Sequence, residues 1–387
     1  MAVVFISAVS LGIWLFLLLF WGNFWRADCR LDRHSLLNSD LEPYPTVCAV
    51  VPARDESETI STSLSSLLGQ DYDGQFSIVL VDDNSRDRTA KIAHQTALDW
   101  GTSAQLQILQ GKPLESGWKG KLWALHQGIA SARANGITPD YWLFTDADIQ
   151  HSRSNLTQLV TKAKADNLAL VSLMVLLHCQ SFWEKLLIPA FVFFFQKLYP
   201  FAWVNDPDES IGAAAGGCIL ISDEALTKIG GIAAIEAALI DDCSLGQAVK
   251  DAGKNIWLGL SETTVSLRSY DSLKAIWGTI SRTAYTQLSY SFPILVGTVI
   301  SMVLIYLAAP IALVWGIATH HWLVVLTAIV TWSLMIYAYL PTLRLYQRSW
   351  LWGILLPAIA ALYTLMTIDS AIAYYQGRGG AWKGRTY

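Results

Sequence analysis

The chain has 387 residues, 53% of them hydrophobic and only 15% charged, with 17 tryptophans and a formal net charge of −4. Typical globular domains carry about 25% charged residues, so an ordinary soluble enzyme is excluded, and the faintly acidic balance gives no footing for nucleic acid. Cys29, Cys48, Cys179, Cys218 and Cys243 form no Cys-x-x-Cys pair and read as reduced, mostly buried thiols rather than disulfide partners or zinc ligands.

The apolar residues are unevenly spread. Val3 to Trp21 is an uncharged run of 19 residues, long enough to span a bilayer. No basic residue precedes it and no small-residue cleavage site follows, so it reads as an anchor rather than a cleaved signal. Arg26, Arg30 and Arg33 come next, and by the positive-inside rule they put the following domain in the cytoplasm. Three further apolar stretches are Leu295–Ala318, Trp322–Leu340 and Leu351–Tyr374. The expected plan is an N-terminal transmembrane anchor over 1–24, an α/β catalytic domain over 45–290, about three membrane helices over 291–376 and a basic, Gly-rich tail over 377–387. Such a chain is expected as a multi-pass protein of the cell (inner) membrane, with its catalytic domain cytoplasmic.

In the middle region, Thr46–Pro52 is an apolar, β-rich run closed by a proline and so a buried strand. Ser57–Leu68 has helical spacing at Ile60, Leu64, Leu67 and Leu68. Ser77–Val81 is a second buried strand, followed by Asp82-Asp83-Asn84-Ser85 and a helix over Thr89–Ala97 that Ser85 or Asp87 would cap. Strand–helix–strand–helix opens a parallel sheet, and such sheets bind ligands beyond the carboxyl ends of their strands. Acidic loops there can accept hydrogen bonds from a nucleotide's uracil and ribose. Turn and cap chemistry is the plainer role, and one of Asp82 and Asp83 is expected to do only that.

Leu106–Leu109 is a third strand. The loop after it holds Gly111, Gly117 and Gly120, which let backbone approach a ligand closely, and Lys112, Lys119 and Lys121. Lys121 opens a helix running to about Ala134. A lysine at a helix N-terminus opposes the macrodipole, which points to an anion beside it; a solvated surface lysine is the alternative. Tyr141–Phe144 is a short buried strand running into Thr145-Asp146-Ala147-Asp148. Two carboxylates cannot hold a diphosphate directly, but they can hold it through a divalent cation. Helix capping is the alternative for an isolated Asp-x-Asp.

In that order, Val51-Pro52-Ala53-Arg54-Asp55-Glu56, Val81-Asp82-Asp83-Asn84-Ser85, Gly120-Lys121 and Thr145-Asp146-Ala147-Asp148 resemble the GT-A fold of family 2 glycosyltransferases. The resemblance implies a Rossmann-like nucleotide-diphospho-sugar transferase. Pro52, Ala53, Glu56, Asp82 and Asp83 would hold the uridine, Lys121 would reach the diphosphate, and Asp146 and Asp148 would bind Mg²⁺ or Mn²⁺. Ile240-Asp241-Asp242-Cys243-Ser244-Leu245-Gly246 resembles the family's Thr-Glu-Asp-x-Asp-Leu-Gly segment and sets Asp242 at the general-base position, with Asp241 as a competitor. The chemistry agrees. Inverting transfer needs a carboxylate to take the acceptor's proton, typically worth about 10²- to 10⁴-fold, and cations to neutralise the leaving diphosphate. An ordinary helix start is the alternative for Asp241-Asp242.

Two features bear on the acceptor. Gly216 and Gly217 precede an apolar strand and either admit a sugar or mark a bend. Ser181–Val204 is dense in aromatics, but its uncharged run between Lys185 and Lys197 is only eleven residues, about 17 Å as helix against about 30 Å of hydrocarbon. It is expected as an interfacial helix, with burial in the domain core as the rival.

Arg282 stands where related membrane transferases carry a Gln/Arg-x-x-Arg-Trp motif, and only the arginine matches. The resemblance makes it a diphosphate ligand, and Thr283 in the Trp position argues against processive polysaccharide synthesis. With the Gly- and cation-rich tail and the one-plus-three apolar layout, the chain resembles the hopene-associated glycosyltransferase branch and carotenoid or sphingolipid glycosyltransferases. Its expected activity is transfer of a single sugar from a nucleotide sugar to a lipid hydroxyl. A processive synthase and a catalytically inactive membrane scaffold are the competing readings. Three crossings after a cytoplasmic domain would leave Arg378, Lys383 and Arg385 outside, against the positive-inside rule; either one stretch is re-entrant or interfacial, with that around Pro310 a candidate, which would keep the tail inside, or the tail breaks the rule.

Overall fold

The structure, a computed structural model, describes residues 1–31, 42–101 and 105–378. Arg33, Lys383 and Arg385 lie outside the described residues. One compact unit comprises Asp28–His178 and Trp203–Arg268; another comprises Met1–Ala27, Cys179–Ala202 and Ser269–Tyr387.

The first unit is organised by one eight-stranded sheet. The predicted apolar runs become β1 (Val47–Ala53), β2 (Phe76–Asp82), β3 (Leu106–Gln110) and β4 (Tyr141–Thr145). β1 lies between β2 and β4, β3 flanks β2, and all four are parallel. Every residue of β1 and β4 is buried, as expected for parallel strands covered on both faces. The remaining strands are β5 (Ile149–Gln150), β6 (Leu170–Leu176), β7 (Cys218–Ser222) and β8 (Ile256–Ser266). The sheet order is β3-β2-β1-β4-β7-β6-β8-β5. The chain builds outward from β1 to β3, then crosses to the other side of β1 to lay down β4. This reversal is the switch point at which a ligand crevice opens beyond the strand ends.

β7 runs antiparallel to both β4 and β6. β8 runs parallel to β6, and its far end pairs antiparallel with β5, joining Ile149 to Ser266 and Gln150 to Val265. The predicted strands do not include β6 or β8.

The second unit holds four helices long and apolar enough to cross a membrane: Ala2–Phe20, Phe292–Ala318, Trp322–Leu345 and Trp350–Tyr375. All four fall on the predicted stretches. The stretch around Pro310 does not fold back on itself. It continues as helix from Phe292 to Ala318, 27 residues or about 40 Å, and passes through a π-helical turn at Val303–Leu307. Pro310 has no N–H, so a carbonyl on the preceding turn loses its helical donor. The buried indole of Trp14 donates to Ile305 O at 2.7 Å.

The aromatic stretch after Ser181 forms the helix Phe182–Leu198, started by a capping box between Ser181 and Glu184. It groups with the apolar helices rather than with the sheet unit, where the predicted plan set it, and so does the segment from Ser269 to 290. Leu187, Phe193 and Phe194 pack in one core with Trp14, Tyr339 and Tyr363. Asp369 accepts from the Trp277 indole at 2.7 Å.

Replacing Trp14 by phenylalanine keeps an aromatic ring, though a smaller one, and removes the donor to Ile305 O. The orphaned carbonyl is expected to cost about 1–3 kcal/mol, read as a lower Tm of the detergent-solubilised protein; an unchanged Tm would mean that the carbonyl finds another donor.

Candidate active site

The loops leaving β1 and β2 are laced to each other. Asp55 N donates to Ser85 Oγ (3.0 Å), Glu56 N to Thr89 Oγ1 (2.8 Å) and Ser57 N to Asp87 Oδ2 (3.0 Å). In return Arg86 N donates to Asp55 Oδ1 at 2.7 Å. Burial alone would raise the Asp87 carboxyl, but hydrogen bonds from Thr89 and Ser57 outweigh it and bring it down to about 2. Asp55 and Asn84 both take left-handed backbone, φ 51° and 56°, which is sparsely populated by non-glycine residues and concentrates at functional loops.

Asp82 and Asp83 are both buried. Asp82 Oδ1 accepts from Ser85 N at 3.2 Å, the turn role expected of one of the two. The Asp83 carboxylate faces the buried Arg54 guanidinium at 3.6 Å, and Arg54 also donates to Asp83 O. Gly111, expected to approach a ligand, instead approaches the chain: its N donates to Asp82 O at 2.9 Å, and a Cβ there would lie 3.0 Å from that oxygen.

The helix Gly120–Ala134 brings Lys121 to the centre of the site. Its Nζ lies 2.9 Å from Asp146 Oδ1 and 3.0 Å from Asp241 Oδ2. Two carboxylates of the chain itself thus flank the lysine. Burial opposes the lysine's charge, but Asp146, Asp241 and Asp242 outweigh it and hold the ammonium well above its usual range. Asp242 takes a different part. Its Oδ2 accepts from Gly216 N and its Oδ1 from Cys243 N, both at 2.8 Å. Burial, then the neighbouring Asp241, push its carboxyl up to about 6, with Lys121 and the two backbone donors pulling the other way. Asp241 is engaged with Lys121, and Asp242 is oriented by backbone.

Gly216 sits between these groups. A Cβ on it would lie 2.9 Å from Lys121 Nζ and 3.2 Å from Asp242 Oδ2. Gly217, by contrast, turns toward Val175 and Ile149 in the core. The small-residue run before β7 lies against the helix Asp241–Asp251: a Cβ on Gly246 would come 2.4 Å from Ala213 C, and one on Gly212 would come 2.7 Å from Gln247 Cα. That backbone approach carries Asp242 to Gly216. The cleft here is lined by Pro52, Lys121, Phe144, Thr145, Gly216 and Asp242, among others.

Asp148 closes the other side. Its Oδ2 lies 3.3 Å from Arg268 Nε, and an Nη of Arg268 lies 3.5 Å from Glu56 Oε1. Behind the Asp146–Asp148 turn runs a buried polar chain. Asn155 Nδ2 donates to His151 Nδ1 (3.0 Å), which leaves His151 Nε2–H for Thr145 Oγ1 (2.9 Å), and Thr145 donates to Gly217 O (2.8 Å). Burial pushes His151 down to about 4, so the ring is neutral at pH 7. The sequence reading did not single out Arg54, His151 or Arg268. The first follows Ala53 in the resemblance motif; the other two depend on pairings with distant strands.

These pieces are held on a mixed sheet, with carboxylates at the ends of its parallel strands. A family model described as glycosyl transferase family 21 matches residues 16–387. The chain belongs to that family. The number differs from the family 2 of the sequence resemblance, and the GT-A architecture expected from that resemblance is what the fold shows. A beta-monoglucosyldiacylglycerol synthase of Synechocystis sp. is 34% identical over 94 residues, which is 24% of this chain and 19% of that relative. This chain thus spans about a fifth of the length of the curated relative it matches. A mannosyltransferase from Pyrobaculum calidifontis, solved in complex with GDP-Man and Mn²⁺, is 17% identical with a TM-score of 0.52, covering 96% of this chain and 99% of that one. That likeness is one of fold.

Pro52, Lys121 and Asp242 thus line one cleft and Asp146 is paired with Lys121, with Ala53, Asp82 and Asp83 at the ends of the neighbouring strands and Glu56 joined to Asp148 through Arg268. Arg282 lies on the helix Leu273–Thr283 of the other unit.

Gly246→Ala drives a Cβ into backbone and is expected to cost about 1–3 kcal/mol. Gly216→Ala meets the flexible end of a lysine and should lower the Tm less. Thermal unfolding of both variants checks this, and equal losses would contradict the packing described.

Proposed function

We propose that this chain is a membrane-bound, inverting glycosyltransferase that moves one sugar from a nucleotide-diphosphate sugar, a UDP-sugar in the first instance, to a hydroxyl of a lipid. The observation that carries the reading is the arrangement around Gly216. A carboxylate oriented by backbone and raised to about 6 stands on one side, and a lysine tied to the Asp-x-Asp turn stands on the other. A methyl group on Gly216 would touch both, so the absence of a side chain there is what lets the carboxylate and the lysine meet at one point.

The residues fit a divalent cation. Glu56, Asp146, Asp148, Asp241 and Asp242 are served by Lys121 and Arg268, which leaves an excess of negative charge on hard oxygen donors. Among the described residues no three His, Cys, Asp or Glu side chains converge as a ready metal cage. Asp146 and Asp148 would therefore hold Mg²⁺ or Mn²⁺ with waters and substrate phosphates completing the shell, the usual way Mg²⁺ is bound. When bound, the ion supplies charge neutralisation for the leaving diphosphate.

The chain's own groups do the rest. Asp242 accepts the proton of the acceptor hydroxyl as that oxygen attacks the sugar carbon opposite the diphosphate. Its two backbone donors occupy only part of the carboxylate's accepting capacity. Lys121 stabilises the developing charge on the diphosphate. Pro52, Ala53, Glu56, Asp82 and Asp83 frame the nucleoside, and Arg282 enters as a diphosphate ligand from the sequence resemblance alone.

The lipid acceptor is supported by the four apolar helices and by the partial match to a synthase whose name is that of a glycolipid. A hopanoid, carotenoid or sphingolipid-type hydroxyl is the class to test first, with the catalytic unit on the cytoplasmic side of the cell membrane.

The test is a donor–acceptor screen. Purified protein in detergent is incubated with radiolabelled UDP- or GDP-sugars, Mn²⁺ and total lipid extract, and label is followed into the organic phase. Asp242→Asn is expected to lower turnover about 10²- to 10⁴-fold while leaving nucleotide binding near wild type. Wild-type turnover in that variant would remove Asp242 as the base. A base at about 6 is ionised above that pH and protonated below it. With wild type, kcat/KM should therefore be flat above pH 6 and fall about tenfold per unit below it. EDTA should abolish transfer, and label moving into a high-mass polymer would contradict the single-transfer reading.

A further inference from the structure

Each carboxylate of the Asp-x-Asp pair is already held by a cation of the chain, and each of those cations is shared with a carboxylate outside the pair. Lys121 joins Asp146 to Asp241, and Arg268 joins Asp148 to Glu56. Backbone pairing places the arginine. The end of β8 is zipped to β5, and Leu267 N donates to Asp148 O at 2.8 Å, so residue 268 emerges beside the Asp148 carboxylate. The side chains of Asp148 and Glu56 are 11% and 14% exposed, whereas that of Arg268 is 37% exposed. The anions are recessed and the guanidinium stands at the rim.

A fixed positive charge 3.3 Å from Asp148 Oδ2 repels a divalent cation that approaches the same carboxylate. A diphosphate offers this guanidinium a better partner, because the planar fork of arginine matches phosphate oxygens two at a time. We propose that Arg268 is a positioning residue that holds Asp148 in reserve: it opposes a divalent cation arriving alone and releases the carboxylate when a nucleoside diphosphate arrives with it. Cation and nucleotide thus load as a pair. Glu56 is the second seat that keeps the guanidinium at the mouth during the exchange. This inference rests on the nucleotide-sugar reading above.

The experiment measures free Mn²⁺ by electron paramagnetic resonance in titrations of the full-length protein in detergent, alone and with UDP or GDP. Wild type is expected to bind Mn²⁺ weakly alone and about tenfold or more tighter with nucleotide, within the usual span of coupling between two ligands. Arg268→Gln should bind Mn²⁺ alone about tenfold tighter than wild type and gain little from nucleotide. Arg268→Lys keeps the charge and should stay near wild type without nucleotide. Glu56→Gln leaves the guanidinium to Asp148 alone and should weaken Mn²⁺ binding in the absence of nucleotide, a second reading should Arg268→Gln fail to fold. Unchanged Mn²⁺ affinity in Arg268→Gln, with nucleotide binding intact, would reduce Arg268 to a rim ion pair and overturn the inference. A folded wild type that binds neither nucleotide nor Mn²⁺ would overturn the nucleotide-sugar reading itself, a distinguishable failure.

Discussion

The site depends on one ammonium group. Lys121 Nζ holds Asp146 from the end of β4 and Asp241 from the start of a helix nearly one hundred residues later, with Asp242 next to it. Without that charge, carboxylates from separate elements would converge on one cleft with nothing to offset their repulsion. The lysine is placed at an unfavourable end of its helix dipole, and the carboxylates that it gathers offset that cost. The architecture around it follows. The β4 strand must end where it does, the small-residue run must let the Asp241–Asp251 helix come to backbone distance, and Gly216 must lack a side chain.

Much of this was legible in the amino-acid sequence because the relevant residues sit at strand ends. β1, β2 and β4 announce themselves as short apolar runs broken by acids, and in an open parallel sheet the breaks fall on one edge. The four membrane-length helices were legible for a simpler reason, since length and apolarity suffice. What stayed hidden depends on pairings between distant segments. Arg268 gains its meaning from the pairing of Ser266 with Ile149, and no local pattern around 268 reports that. His151 is one polar residue after a two-residue strand until Thr145 and Asn155 are seen on its two nitrogens. The run before β7 was read as a strand entry in which either glycine could face a ligand. Only the packing separates them, with Gly216 toward Lys121 and Asp242 and Gly217 toward Val175.

In the helical unit the same distinction holds. Pro310 invites a break when read locally, and a re-entrant turn would have met the charge asymmetry of the tail. The structure keeps the helix whole and takes up the disturbance in a π-helical turn, where Trp14, nearly three hundred residues away in sequence, donates to Ile305 O. The aromatic stretch after Ser181 reads by composition as a surface-lying helix. Its residues Leu187, Phe193 and Phe194 pack with Trp14, Tyr339 and Tyr363 among the apolar helices.

The pairing of β5 with β8 has a consequence for how the protein is made. Every motif of the nucleotide side, from Pro52 to Asp148, has left the ribosome before the strand that holds the Asp148 turn in the sheet has been translated. Pairing of such long sequence separation forms late, because loop closure must precede its reward. A fragment ending near residue 150 therefore carries all four nucleotide-side motifs without the ladder that fixes Asp148. The Asp146–Asp148 turn therefore reaches its final place only once the whole sheet has closed.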